Sequence, residues 1–188
     1  MKKSGGIKII IIGVVLAVLV VGYYFHLSNK TQKPAEEVVE STRVQNVLMR
    51  DLEKNYPPTP KEVIKYFNEI SMCFYNEKYT DDELEQLAVK IQGIYDTELI
   101  ANKPQEQYID DLKNDIAEMK ANDQSISSYQ LPASTDVEFF SEDGNSCARI
   151  YCTYSIRQGT SMIQSRLVFI LRQNEEKRWK IFGWDLDS

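Results

Sequence analysis

An almost unbroken apolar run from Ile7 to Leu27 constrains this chain more than any other feature. Lys8 is the only charged residue within it. At a rise of about 1.5 Å per residue, a run of this length matches the roughly 30 Å hydrocarbon core of a bilayer. We therefore expect one transmembrane helix over residues 7–27. It divides the chain into a cytoplasmic stub of residues 1–6, the span, a polar tether of residues 28–35 and a domain of residues 36–188.

The charges that flank the run predict its orientation in the cell membrane. Lys2 and Lys3 precede it, whereas Glu36 and Glu37 follow it. The positive-inside bias places the N-terminus in the cytoplasm and the domain outside the cytoplasm. A cleaved signal peptide is the alternative, but its apolar region usually spans about 7–15 residues and ends in small residues. This run is longer and ends in an aromatic belt (Tyr23, Tyr24 and Phe25), which favours an uncleaved signal anchor.

The charge beyond the span excludes one class of partner. All 28 acidic residues lie there, against 19 of the 22 basic ones. The resulting excess of negative charge argues against nucleic acid, whose binding rests on clustered lysine and arginine. Three cysteines are too few for a disulfide framework. Cys73 and Cys152 lie on apolar faces, so either a disulfide between them or two buried thiols is possible.

Apolar residues recur at helical spacing from residue 35 to residue 121. We expect helices over residues 35–54, from Pro60 through the stripe that ends at Phe74, over residues 80–99, and from about residue 108 to residue 121. Thr59 before Pro60 is a helix start. Thr80 with Glu83 forms a capping box at another start.

After residue 123 the pattern becomes that of strands. Short apolar or alternating segments cover residues 126–131, 136–141, 146–157, 162–172 and 178–186. The third alternates, with Ala148, Ile150, Cys152, Tyr154 and Ile156 on one face. Helices followed by hairpin-linked strands predict an α+β fold in which helices pack on an antiparallel sheet.

Apolar residues on both faces of the last two strands predict a sheet that is covered on both sides. Residues 167–171 are all apolar, and Phe182, Trp184 and Leu186 are expected to share one face of the final strand. The helices cover one side of the sheet. The other is covered either by the first helix or by a second molecule. Phe182 and Trp184 are therefore the candidate partner-binding residues.

Few residues of the domain point to chemistry. His26 is the only histidine and lies in the apolar run, so zinc sites and nucleophilic triads lack their usual parts. We expect no catalytic residue, no metal site and no cofactor. Tyr154, Tyr151 and Asp185 are candidates for lining a pocket, although strand packing also explains the tyrosines.

Two resemblances add to this interpretation. The ending from Arg166 to Arg172, a polar turn, and the segment from Arg178 to Asp185 resemble the last hairpin of nuclear-transport-factor-two-like, cystatin-related cone folds. That resemblance implies helices wrapped in a curved antiparallel sheet. The segment Leu52-Glu-Lys-Asn-Tyr-Pro-Pro-Thr-Pro60, the segment Cys73-Phe-Tyr-Asn76 and the final Trp-Lys-Ile-Phe-Gly-Trp are similar to an uncharacterised bacterial family of single-span anchored proteins.

Three functions remain open from the sequence. The first is a non-enzymatic, membrane-anchored extracytoplasmic domain that binds a protein partner, either an envelope protein or a second copy as a homodimer. The second is a small-molecule binder or enzyme that uses the cone interior near Tyr154. The third is an assembly component of an envelope secretion or conjugation apparatus, which rests on a likeness of layout alone.

Overall fold

The computed structural model describes residues 42–187. The chain divides into two units, Met1–Glu40 and Ser41–Ser188, and the described residues belong to the second. The predicted stub, span and tether of residues 1–35 lie outside the described residues. Between residues 42 and 187, no helix has both the length and the apolar character needed to cross a membrane.

Helices precede strands in this unit, as the sequence predicts. The helices are α1 (Arg43–Met49), α2 (Pro60–Asn76), α3 (Asp81–Gln92), α4 (Thr97–Ala101) and α5 (Gln105–Ala121). A 3-10 turn (Ser134–Asp136) lies among the strands β1 (Gln124–Gln130), β2 (Glu138–Glu142), β3 (Asn145–Gln158), β4 (Ser161–Gln173) and β5 (Trp179–Leu186). The α+β prediction is confirmed.

The predicted helix starts are confirmed by their capping contacts. The Thr59 hydroxyl accepts a hydrogen bond from the backbone N–H of Glu62 at 3.2 Å, and Pro60 is the first residue of α2. At α3 the Thr80 hydroxyl accepts from the N–H of Glu83 at 3.2 Å, and the Glu83 carboxylate accepts from the N–H of Thr80 at 2.8 Å. These contacts satisfy N–H groups that the first helical turn leaves without a helical partner.

Two helices end earlier than the sequence predicts. The helix expected over residues 35–54 is present as α1, which ends at Met49. The Asp51 carboxylate then accepts from the N–H groups of Glu53 and Lys54 at 2.9 and 3.3 Å, which favours a turn over continued helix. The helix expected through residue 99 ends at Gln92, and residues 94–96 pair with the sheet instead.

The sheet contains five strands in residues 42–187, and these strands pair with one another antiparallel throughout, whereas the isolated bridge between Tyr95 and Ile181 is parallel. Its order is β1-β3-β4-β5, with β2 pairing to β3 as well. Because β1 pairs with Thr153–Gln158 and β2 with Asn145–Arg149, these two strands follow each other along one edge of β3. The sheet is curved, and the helices lie against its inner face. This arrangement confirms the predicted antiparallel sheet.

The core is centred on α2, which is packed on more than one side. It contacts α1 and α3 as well as β1, β3 and β5. The stripe that begins at Val63 and Phe67 is buried, and so are Ile64, Tyr66 and Cys73 on neighbouring faces of the helix. The inner face of β3 is buried with it, including Ile150 and Cys152. All three cysteines are free thiols, which favours the second of the two alternatives above.

Within residues 42–187, the first helix does not cover the outer sheet face, so that alternative is wrong for the described part of the helix. Helix α1 packs against α2 and α3 on the inner side of the sheet. Arginine side chains lie over the aromatic rings of the outer face. The guanidinium of Arg166 is 4.3 Å from the ring centroid of Tyr151, and that of Arg172 is 4.5 Å from the centroid of Phe182. Cover by a second molecule stays a prediction.

Candidate functional site

A cavity of about 490 Å³ lies between α2, α4, α5 and the inner face of the sheet. Its walls are mostly apolar, and seven aromatic side chains contribute to them. The aromatic members are Phe67, Phe74, Tyr75, Tyr95, Tyr108, Tyr154 and Trp184. Concave sites with apolar and aromatic walls and a small number of polar groups are typical of small-molecule binding. We call this space the aromatic cavity.

Helical and strand periodicity bring these side chains to one place. Phe67, Ser71 and Phe74 follow the spacing of four and three residues that puts side chains on one face of α2. Tyr154 and Ile156 alternate along β3 and point to the same side of the sheet. Helix α5 closes the cavity with Tyr108, Leu112, Asp115 and Met119, again at helical spacing.

Tyr154 is held at the wall of the cavity by a buried hydrogen-bond network. Its hydroxyl donates to the side-chain oxygen of Asn68, which is fully buried. The Asn68 amide donates in turn to the Cys152 sulfur at 3.5 Å. Burial raises the pKa of Tyr154 well above its ordinary value, so the group is a neutral phenol in the folded protein. The network therefore orients the ring without adding charge.

The other tyrosines of the cavity are neutral phenols as well. Burial, followed by the nearby carboxylate of Asp115, raises the pKa of Tyr75 to about 12. Burial also raises the pKa of Tyr95 and of Tyr108. Because each phenol keeps its proton at neutral pH, these groups offer hydroxyl hydrogen bonds but no negative charge.

Trp184 lies at the rim of the cavity, where it is both packed and exposed. Its ring centroid is 5.6 Å from those of Phe67 and Tyr95, yet 42% of the residue is exposed. Across the rim, Lys103 forms an ion pair with Asp111. The entrance therefore combines an accessible aromatic ring with one partly exposed ion pair.

A sequence model of a family described as a domain of unknown function (DUF6715) matches residues 1–184. The chain belongs to the DUF6715 family. This confirms the predicted membership of an uncharacterised family. No curated protein matches the chain.

Among solved structures, this DUF6715 protein is similar to a mutant of the helical cell shape determining protein Pgp2 from Campylobacter jejuni. The sequences are 10% identical and the TM-score is 0.37. The match covers 68% of this chain and 41% of the Pgp2 chain. A likeness at this score carries no argument about the role of the DUF6715 protein.

Phe182 and Trp184 do not share a face of the DUF6715 sheet, so the predicted single patch is wrong. Trp184 pairs with Phe169, and Ile181 pairs with Leu171. Both partners on β4 are buried on the inner face of the sheet. The pairing register shifts between these pairs, and the extra residue reverses the alternation of β5. Trp184 therefore faces the aromatic cavity, whereas Phe182 lies under Arg172 on the outer face.

Of the three pocket candidates, the structure places only Tyr154 in the cavity wall. Tyr151 is on the outer face beneath the guanidinium of Arg166. Asp185 is exposed and pairs with Val168, and its carboxylate accepts from the N–H of Leu186 at 2.8 Å. Tyr151 and Asp185 alternate with inward-facing neighbours, so period-two spacing puts them on the other face of the sheet.

Sequence reasoning missed most of the residues that form the site. Asn68 and Ser71 are polar positions within the buried part of α2, and such interruptions are a usable signal because buried polar groups need partners. Tyr95 lies just beyond the helix end at Gly93. The sequence predicts an unbroken helix through residue 99, so it does not indicate that Tyr95 leaves the helix. Tyr108 continues the apolar stripe of α5 in the sequence, and no local signal marks it as a cavity residue.

Proposed function

We propose that this protein is a membrane-anchored extracytoplasmic binding domain whose aromatic cavity takes an apolar small molecule. The observation that carries the proposal is the cavity itself, because about 490 Å³ of space with largely apolar walls is the usual setting for such ligands. The apolar run at residues 7–27 supports the anchor, and a helix-lined curved sheet supports the likeness to cone folds. Binding requires no catalytic group, so the proposal is non-enzymatic.

Two matched serine variants test whether binding occurs in the cavity. Ser165 lines the cavity and pairs with Tyr154, whereas Ser155 lies on the outer face of the adjacent strand. Ser165→Phe places a ring inside the space, and Ser155→Phe places the same ring outside it. Binding is measured with the neutral fluorophore phenylnaphthylamine, whose emission rises in apolar surroundings, and with thermal shift.

The expected result is binding by the parent protein that Ser165→Phe weakens at least about tenfold, equivalent to about 1.4 kcal/mol. Ser155→Phe is expected to leave the affinity unchanged. A parent protein that binds no apolar probe, or equal effects of the two variants, would rule out the cavity as the binding site. Thermal unfolding of both variants shows whether each remains folded.

Protein association is a second candidate, favoured by apolar exposure at one sheet edge. Leu186 is 65% exposed and Trp184 is 42% exposed near the end of β5. Across residues 42–187, the outer edge of β5 is bridged only at Ile181, by the segment around Tyr95. Unpaired edges with apolar side chains are prone to pairing with other chains. Association through an envelope partner or a second copy would use this edge.

Leu186→Asp tests association with less damage to the fold than Trp184→Asp, because Trp184 supports the cavity. Crosslinking of the full-length protein in its membrane, followed by affinity purification, measures how much partner is recovered with each variant. If Leu186→Asp loses a stoichiometric partner and Phe182→Asp keeps it, the result supports the outer edge of β5 as the association surface. Equal recovery of the partner from both variants counts against it.

A further inference from the structure

We infer that the ligand of the aromatic cavity is an organic cation with an apolar body, such as an alkylated amine. This inference rests on the proposed function and specifies its ligand class. Two independent features carry it. One is the aromatic character of the walls, and the other is the sign of the charge at the rim.

The aromatic walls suit a cation because the faces of aromatic rings carry negative electrostatic potential. Phe67, Tyr95 and Trp184 form a cluster in which the centroid of Phe67 is 6.4 Å from that of Tyr95 and 5.6 Å from that of Trp184. Their rings are tilted against one another by 39° and 54°, so they do not stack as a closed sandwich. All three residues line the cavity, and recognition of quaternary ammonium groups uses aromatic residues that line one site.

The charged groups of the cavity favour a positive ligand. Lys103, Asp111 and Asp115 are the charged residues that line it in the described part of the chain. Lys103 and Asp111 form an ion pair with each other. Asp115 has no ion-pair partner within residues 42–187, and its carboxylate acts on the neighbouring Tyr75. The cavity lining therefore includes one exposed negative charge that no ion pair compensates, and this charge attracts a cation and repels a carboxylate or phosphate.

The phenols add to this selectivity because they are neutral. A cationic ligand meets tyrosine hydroxyls and aromatic rings, and among the described residues that line the cavity the only basic one is Lys103, which is paired. A neutral ligand of the same shape keeps the apolar contacts but loses the attraction of the rings and of Asp115. An anionic ligand of the same shape meets repulsion at the rim. The expected order of affinity is cation, neutral molecule, anion.

Three probes of matched chain length test this order: hexyltrimethylammonium, hexanol and hexanoate. The chain has two tryptophans, Trp179 and Trp184, so Trp179→Phe leaves Trp184 as the only reporter in the cavity. Quenching of its fluorescence is followed in the full-length protein in phosphatidylglycerol nanodiscs, with the signal of empty nanodiscs subtracted. The expected result is that the cation binds about tenfold or more tightly than hexanoate.

Asp115→Asn isolates the contribution of the carboxylate, and Asp110→Asn is its control. Both are exposed residues of α5, but only Asp115 lines the cavity. Because Asp115 is exposed and water screens its charge, Asp115→Asn is expected to lower the affinity for the cation about two- to fivefold while leaving that for hexanol unchanged. Asp110→Asn is expected to change neither. Competition by choline or by dispersed dihexanoylphosphatidylcholine distinguishes a free cation from a lipid headgroup.

The outcomes separate this inference from the proposed function. If phenylnaphthylamine binds but hexanoate equals or exceeds the cation, the ligand class is wrong and the binding function stands. The same conclusion follows if Asp115→Asn and Asp110→Asn have equal effects. If neither phenylnaphthylamine nor any of the three probes binds, both the function and the ligand class are overturned.

Discussion

Arg172→Met removes the guanidinium from a carboxylate that the fold has buried. Asp96 is 4% exposed and accepts two hydrogen bonds from Arg172, at 2.7 Å from Nη2 and 3.1 Å from Nε. It also accepts from the backbone N–H of Glu98 at 3.0 Å, which caps α4. The hydrogen bonds to Asp96 and Glu98 raise the pKa of Arg172, so the guanidinium is charged throughout. Methionine keeps the aliphatic stem and deletes the charge.

The size of the effect follows from the burial of the two partners. Removing one member of a buried ion pair costs about 3–5 kcal/mol, because the remaining charge is left uncompensated. The Arg172 side chain is 21% exposed, so water reaches part of the space that the guanidinium leaves. We therefore expect a loss near the lower limit, about 3 kcal/mol. For a protein of this size that corresponds to a fall in Tm of about 6–12 °C.

Arg178→Met is the matched control for this measurement. Arg178 is similarly exposed, at 28%, and also lies over an aromatic ring, 5.2 Å from the centroid of Tyr56. Its carboxylate partners Glu53 and Glu176 are 85% and 66% exposed. Exposed ion pairs contribute at most about 1 kcal/mol, so this variant is expected to lose less than that. Thermal unfolding followed by circular dichroism at pH 7 compares the two.

Adding Asp96→Asn to Arg172→Met completes the test. Asparagine carries no charge and keeps a side-chain oxygen for the N–H of Glu98, so about 1–2 kcal/mol of the loss is expected to return. Equal losses in Arg172→Met and Arg178→Met would refute the reasoning. So would a double variant that is no more stable than Arg172→Met alone.

Two further predictions concern buried tyrosines. Asn68→Leu leaves the Tyr154 hydroxyl without its partner and is expected to cost about 1–3 kcal/mol, part of which Tyr154→Phe restores in the double variant. Urea unfolding of the parent protein, the two single variants and the double variant measures this coupling. Strictly additive losses of unfolding free energy would contradict it. Burial raises the pKa of Tyr66 and of Tyr75 from 10 to about 12, so between these pH values the unfolded phenols lose protons that the folded phenols keep. The free energy of unfolding is expected to be unaffected below pH 10 and to fall as the pH rises to 12. Ionisation of Tyr66 or Tyr75 near pH 10, in a protein that circular dichroism shows to be folded, would contradict this.

Local patterns were enough to predict the order and type of most elements. Thr80 with Glu83 marked the start of α3, because a capping box involves residues only three apart. The alternation of β3 identified its buried face for the same reason, since side chains two apart share a face. The end of α3 was missed, because the pairing of Tyr95 with Ile181 involves a distant strand.

The candidate site was predicted less well, because one residue changes which face a side chain occupies. The irregular pairing of β5 sends Trp184 inward and leaves Phe182 outward, although the two are separated by a single residue. Alternation read from sequence assumes an unbroken register, and a bulge reverses everything that follows it. Tyr154 was found because its strand pairs regularly with β4 around it.

The α+β class, the helix starts and the buried face of β3 can be predicted from local patterns, since each depends on residues close together along the chain. The aromatic cavity cannot be predicted in this way, because it forms only when distant elements pack together. The hydrogen bond between Asn68 and Tyr154 joins residues 86 positions apart, and the pair of Arg172 and Asp96 joins residues 76 apart. Contacts at such separation depend on how helices and strands pack, and no local pattern encodes that packing.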